Sequence, residues 1–150
     1  MSTLPPARAL DFWLGRWTVT WGEGLSATNH VETILDGAAI RENFDGRPGA
    51  DFIGTSLSVY SPHLGLWRQT WVDSQGSYWA FTGGPQGDRF IFATDDLRDG
   101  RPIKLRMVFY NLAADSLDWD WERSDDAGAT WTLQWRLHYT RQAAPDPSPA

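Results

Sequence analysis

The sequence predicts an all-β fold, a single up-and-down antiparallel β-barrel of about ten strands preceded by a short N-terminal helix. Three observations carry that prediction. Between residues 16 and 141, β-rich or alternating segments recur about every ten to fourteen positions, a spacing expected of sandwiches and barrels. The links between them are short and rich in Gly, Pro and Asp, and helical periodicity ends at Gly15.

The elements follow in order. Pro5-Pro6, then Ala7 to Leu14 and Gly15, has the proline-first, glycine-last layout of one or two helical turns, placed to plug one end of a barrel. Strand candidates then cover 16–22, 27–36, 38–45, 52–61, 66–73, 77–83, 88–94, 103–111, 116–124 and 130–141. Asp36-Gly37, Asp45-Gly46-Arg47-Pro48-Gly49, Ser61 to Gly65, Ser74-Gln75-Gly76, Gly83-Gly84-Pro85-Gln86-Gly87 and Asp99-Gly100-Arg101-Pro102 supply the turns. Links this short join antiparallel neighbours, because a parallel crossover needs about a dozen residues. A long meander must split into two sheets or close, and closure removes the exposed edges. The division is therefore an N-terminal segment at 1–15, a barrel at 16–141 and a disordered tail at 142–150, which carries Pro145, Pro147 and Pro149.

Composition narrows the function. A chain of 150 residues buries roughly two thirds of its unfolded surface, enough for one sizeable core. With no cysteine, disulfides, zinc-thiolate sites and thiol nucleophiles are excluded. Met1 to Pro6 lacks the basic start and apolar run of a secretory signal, and no stretch approaches the roughly 18 apolar residues of a membrane span. The expectation is a soluble, cytoplasmic protein with no membrane partner. A net charge of -6 argues against nucleic acid as a partner, since counterion displacement needs a cationic surface. Ten tryptophans are the unusual feature, because side chains that large belong to cores, ligand cavities or interfaces.

Period-two alternation assigns some faces. Leu117, Trp119 and Trp121 share one face against Asp118, Asp120 and Glu122. Trp131, Leu133, Trp135, Leu137 and Tyr139 form the inward candidate of the last strand, leaving His138 outside, and Trp17, Val19 and Trp21 do the same in the first. Other segments leave the inward face open. Gln69 and Asp73 lie on the face of Trp67 and Trp71. Ser56, Ser58 and Tyr60 oppose Leu57 and Val59, Glu42 goes with Ile40 and Phe44, and Asn111 goes with Met107 and Phe109. Turned inward, these faces bring a few polar groups into an aromatic cavity, the usual makeup of a small-molecule site. Turned outward, they are solvated.

Two motifs have a physical reading. Gly15-Arg16-Trp17 opens the first strand, where glycine permits the tight entry and the tryptophan closes the barrel base beneath an arginine, for which Arg141 is the candidate. Ser124-Asp125-Asp126-Ala127-Gly128-Ala129-Thr130-Trp131 fits the Asp-box pattern S-x-D-x-G-x-T-W, a hairpin in which Asp126 bonds turn amides and Trp131 packs beneath the loop. Asp118, Asp120 and Glu122 read as a solvated strand face and not as a metal cluster, and His30, His63 and His138 lack ligand spacing. No metal and no cofactor is expected. Phosphate loops of nucleotide-binding folds are absent with the long helices they need.

Phe12 to Trp17, Ile34 to Gly37, Ser56 to Tyr60, Trp67 to Asp73, Met107 to Asn111 and Trp119 to Tyr139 together resemble a bacterial domain-of-unknown-function family of the lipocalin-like, or calycin, group. The resemblance spans about residues 10 to 141 and implies a lipocalin- or fatty-acid-binding-protein-like barrel; it implies no ligand and no catalytic residues. The nitrobindins, a neighbouring haem-binding family, share the G-x-W but are glycine-rich where this chain has Thr18-Val19-Thr20-Trp21.

The expected function is binding of a small apolar or aromatic molecule inside the barrel. Trp71, Trp119, Trp121, Trp135 and Phe109 would stack on it; Gln69, Asn111, Tyr139, Ser56 and Ser58 would orient it. One alternative is a barrel enzyme catalysing isomerisation, cyclisation or hydrolysis, with Glu42 or Asp73 as a titrating acid whose pKa is raised by aromatic surroundings. Another is an interaction module or homodimer without ligand.

Overall fold

The computed structural model describes residues 4–143. Pro6–Arg8 and Asp11–Trp13 form two successive 3-10 turns, the first opening on a proline whose missing N–H would have no helical partner there. Ten strands follow: β1 (Gly15–Trp21), β2 (Leu25–Ile34), β3 (Ala39–Asp45), β4 (Ile53–Ser61), β5 (Leu66–Asp73), β6 (Tyr78–Gln86), β7 (Arg89–Arg98), β8 (Arg101–Tyr110), β9 (Ser116–Ser124) and β10 (Thr132–Arg141). Each pairs antiparallel with its sequence neighbours, and β1 pairs with β10, so the sheet closes into one barrel with no free edge. The tail expected to be disordered lies, from residue 144 on, outside the described residues. Among the described residues no helix is long and apolar enough to cross a membrane.

Two local expectations are corrected. Gly83 to Gln86 is not a loop but the end of β6, paired Gly83 with Phe92 and Pro85 with Phe90, and the turn shrinks to Gly87 and Asp88. The reason is close approach: a Cβ on Gly83 would collide with the Ile91 carbonyl, so glycine here serves strand contact. In β10 the odd-numbered face is not continuous. A register shift between Leu133 and Trp135 turns Leu133 outward, 43% exposed, while Trp135, Leu137 and Tyr139 point in.

The G-x-W segment closes one end. Gly15 sits at φ +131°, and a side chain there would strike the Arg141 guanidinium. That guanidinium lies 4.2 Å over the fully buried Trp17 ring and donates to the carbonyls of Leu14 (2.6 Å) and Ala114 (3.0 Å). Trp17 Nε1 donates to Trp13 O, and Trp67 Nε1 donates to Pro6 O, so the 3-10 turns are fastened as a plug at this end. Phe12 and Trp13 pack on Phe109 beneath the plug.

The Asp-box forms the expected hairpin. Asp126 accepts from the Thr130 hydroxyl and amide and from Ser124 Oγ, and these bonds hold its carboxyl down to about 2. Trp131 lies against Gly128, with the Arg106 guanidinium 4.0 Å above its ring. The acids of β9 face outward as alternation requires, but they are not simply solvated. Asp118 contacts His138, Asp120 accepts from Arg136, and Glu122 accepts from Arg106, making a cross-strand ladder.

Candidate functional site

Away from the plug, the barrel interior is built in layers that the strand register defines. Phe44, Gly54 and Asp73 lie side by side nearest the open end; Glu42, Ser56 and Trp71 form the next layer; Ile40, Ser58 and Gln69 lie below; Tyr60 and Trp67 meet the plug. The open alternation question is thereby answered. Ser56, Ser58, Gln69 and Glu42 are buried, whereas Leu57 and Val59 are 46% and 44% exposed.

The upper layers enclose a cavity of about 180 Å³. Trp71, Trp79, Trp119, Trp121 and Trp135 wall it, Trp13 of the plug reaches it from below, and Phe44 and Phe52 close the side toward the β3–β4 loop. Trp119 and Trp121 lie parallel, 5° between planes, and Trp135 meets Trp119 edge-on at 6.2 Å. Trp79 and Trp121 are 5.9 Å apart. Gly54 makes the position of Trp71 possible, since a Cβ there would run into the indole. Phe52, Trp71, Asp73 and Trp135 are only half-buried, so the cavity reaches solvent at this rim.

Its polar groups are few. Glu42, 7% exposed, accepts from Ser56 Oγ (2.8 Å) and Asn29 Nδ2 (2.7 Å). Asn29 Nδ2 also donates to the Tyr139 hydroxyl at 3.0 Å, so that with Ser56 and Glu42 four strands, β2, β3, β4 and β10, join in one buried network. Burial outweighs the two bonds from Ser56 and Asn29 and pushes the Glu42 carboxyl up to about 7. Burial and the Glu42 charge raise Tyr139 as well, which keeps it a neutral hydroxyl. Asp73 behaves oppositely. Burial raises it, but bonds from Trp71 Nε1 (3.0 Å) and from the amides of Ser77 and Gln75 prevail and hold the carboxyl below its ordinary range. The expectation of a raised pKa therefore holds for Glu42 and fails for Asp73, whose position at the end of β5 lets turn amides reach it.

The expected site residues separate into three groups. Trp71, Trp119, Trp121, Trp135, Tyr139, Glu42 and Asp73 line the cavity. Ser56 supports Glu42, while Ser58 and Gln69 bond each other (2.9 Å) one layer deeper, and Phe109 packs under the plug. Asn111 is outside: it follows the last residue of β8 at φ +50°, is exposed, and donates to Asp118. The turn reverses the chain there and breaks the alternation that grouped it with Phe109. Sequence reasoning missed Asn29, although it alternates with Ala27 and Val31, both buried, and it missed Trp79, which alternates with Phe81. No protein-family model matches this chain, and no curated protein matches it.

Proposed function

We propose that the barrel binds a small, flat, apolar or aromatic molecule. The observation carrying this reading is the solvent-reaching cavity of about 180 Å³ lined by six indoles, because buried aromatic surface that is left unfilled inside a barrel is available to a ligand. An apolar cavity of about 150 Å³ takes benzene, whereas drug-sized ligands occupy roughly 300–1,000 Å³. Size thus favours one ring or two fused rings and disfavours long lipids. Titration with 2-naphthol is expected to quench tryptophan emission saturably, and Trp121→Ala to weaken that binding about fivefold or more while the protein still melts cooperatively. Quenching that stays linear with probe concentration would contradict the reading.

A second reading rests on the contrast between Glu42, poised near neutrality, and the ionised Asp73 in the same cavity. Two carboxyls with pKa values pushed apart are the arrangement of acid/base catalysis. On this reading Glu42 transfers the proton in an isomerisation, cyclisation or hydrolysis. Replacing it by glutamine would then abolish turnover of any substrate found without abolishing its binding.

A further inference from the structure

We infer that the molecule this cavity selects is a small organic cation, an amine or ammonium group on an aromatic or compact apolar body. The inference deepens the binding reading above and rests on it. Its starting point is charge balance. Two carboxylates line the cavity, Glu42 and Asp73, and no lysine, arginine or histidine does. Neither acid forms a salt bridge among the described residues, although the outward acids of β9, Asp118, Asp120 and Glu122, each meet a basic side chain.

Buried carboxylates are ordinarily paired, because removing an ion from water without a partner costs several kcal/mol. Here no basic group among the described residues supplies the countercharge. Asp73, half-buried at the rim, is fixed as an anion by three N–H donors, and its bond from Trp71 Nε1 ties it to the wall of the cavity. Glu42 sits one layer deeper, bonded only to the neutral groups of Ser56 and Asn29.

The walls point the same way. The faces of indole rings carry negative potential and attract cations, tryptophan most strongly of the aromatic side chains. Trp71, Trp79, Trp119, Trp121 and Trp135 surround a space open to an ammonium group between two acids. The protein already uses this chemistry at Trp17 and Trp131, each covered by an arginine. Among the described residues no cation covers the cavity indoles. A carboxylate ligand, by contrast, would enter between two acids with no basic group to receive it, and so fatty and aromatic acids are excluded.

A series of equal shape and different charge tests the inference: benzylamine, benzyl alcohol and benzoate, titrated at pH 8 with tryptophan emission and calorimetry as readouts. Benzylamine, protonated at that pH, is expected to bind about tenfold more tightly than benzyl alcohol, with benzoate weaker than both. In Glu42→Gln the ratio of amine to benzyl alcohol affinity should fall severalfold. Equal affinity for amine and alcohol, or tighter benzoate, would overturn the cation assignment and leave the binding reading standing. Failure of all three to bind would overturn both.

Discussion

Glu42→Gln is expected to make the protein more stable at pH 8, by about 3 kcal/mol. Glu42 titrates near 7 when folded and near 4.5 when unfolded. Below the lower value it is neutral in both states and has no effect. Between the two, the unfolded chain gives up the proton and the folded chain keeps it, so the stability contributed by the buried neutral acid is lost as pH rises, fully so above 7. Glutamine is neutral throughout and escapes that loss. The hydrogen bonds can survive the exchange, because Asn29 Oδ1 is buried without a partner and a turned amide would present it to the new NH₂ group. Urea unfolding of both proteins at pH 4.5, 6 and 8 measures the effect. The difference should be small at the lowest pH and grow with each step. A pH-independent difference, or a less stable variant at pH 8, would show that Glu42 is not held as described.

Arg141→Ala is expected to cost about 3 kcal/mol, the second large effect. The substitution removes the cation over Trp17 and leaves the carbonyls of Leu14 and Ala114 without their donor. It also unfastens the plug from the β1–β10 seam, where Trp17 and Arg141 are register partners. Lysine should recover only part of the loss, because a single ammonium cannot both cover the ring and reach two carbonyls in fork geometry. Gly15→Ala should be comparably destabilising, since its Cβ would occupy the space of the same guanidinium at a φ that alanine resists. The two substitutions should therefore be non-additive, the double variant losing about 1 kcal/mol less than the sum. Strict additivity in thermal or urea unfolding would separate Gly15 from Arg141 and contradict the shared-site account.

The barrel itself was legible because its signals are local. Turn residues and strand spacing give ten antiparallel segments, and closure follows from the cost of free edges. Faces were legible only where one side was wholly apolar, as with Leu117, Trp119 and Trp121. On β3, β4 and β5 both sides mix polar and apolar residues, and alternation states which residues share a side without stating which side is inward. The outward Leu57 and Val59 and the inward Ser56 and Ser58 invert the simple hydrophobic rule. Leu133 escaped for another reason, since a one-residue register shift changes the face of every residue before it and leaves no mark in the composition.

The candidate site was legible by halves for the same reasons. Trp71, Trp119, Trp121 and Trp135 stood out by size and period, and Glu42 by its place between Ile40 and Phe44, whereas Trp13 and Trp79 did not. What the sequence could not supply was depth along the barrel. Gln69, Trp71 and Asp73 share a face, yet one lies beneath the cavity, one walls it and one sits at its rim, depending on pairing with β4. The role of Gly54 likewise exists only through Trp71 on the neighbouring strand.

The central claim, that the aromatic cavity takes a small molecule, is tested most directly by locating one. In crystals grown with bromobenzene, a neutral ligand independent of the charge argument, the anomalous signal of bromine reports its position without ambiguity. The predicted peak lies inside the barrel, between Trp71 and Trp121 and above the Glu42 carboxyl. Bromine found only on the outer face, or an interior closed by inward movement of Trp121 and Trp135, would contradict it.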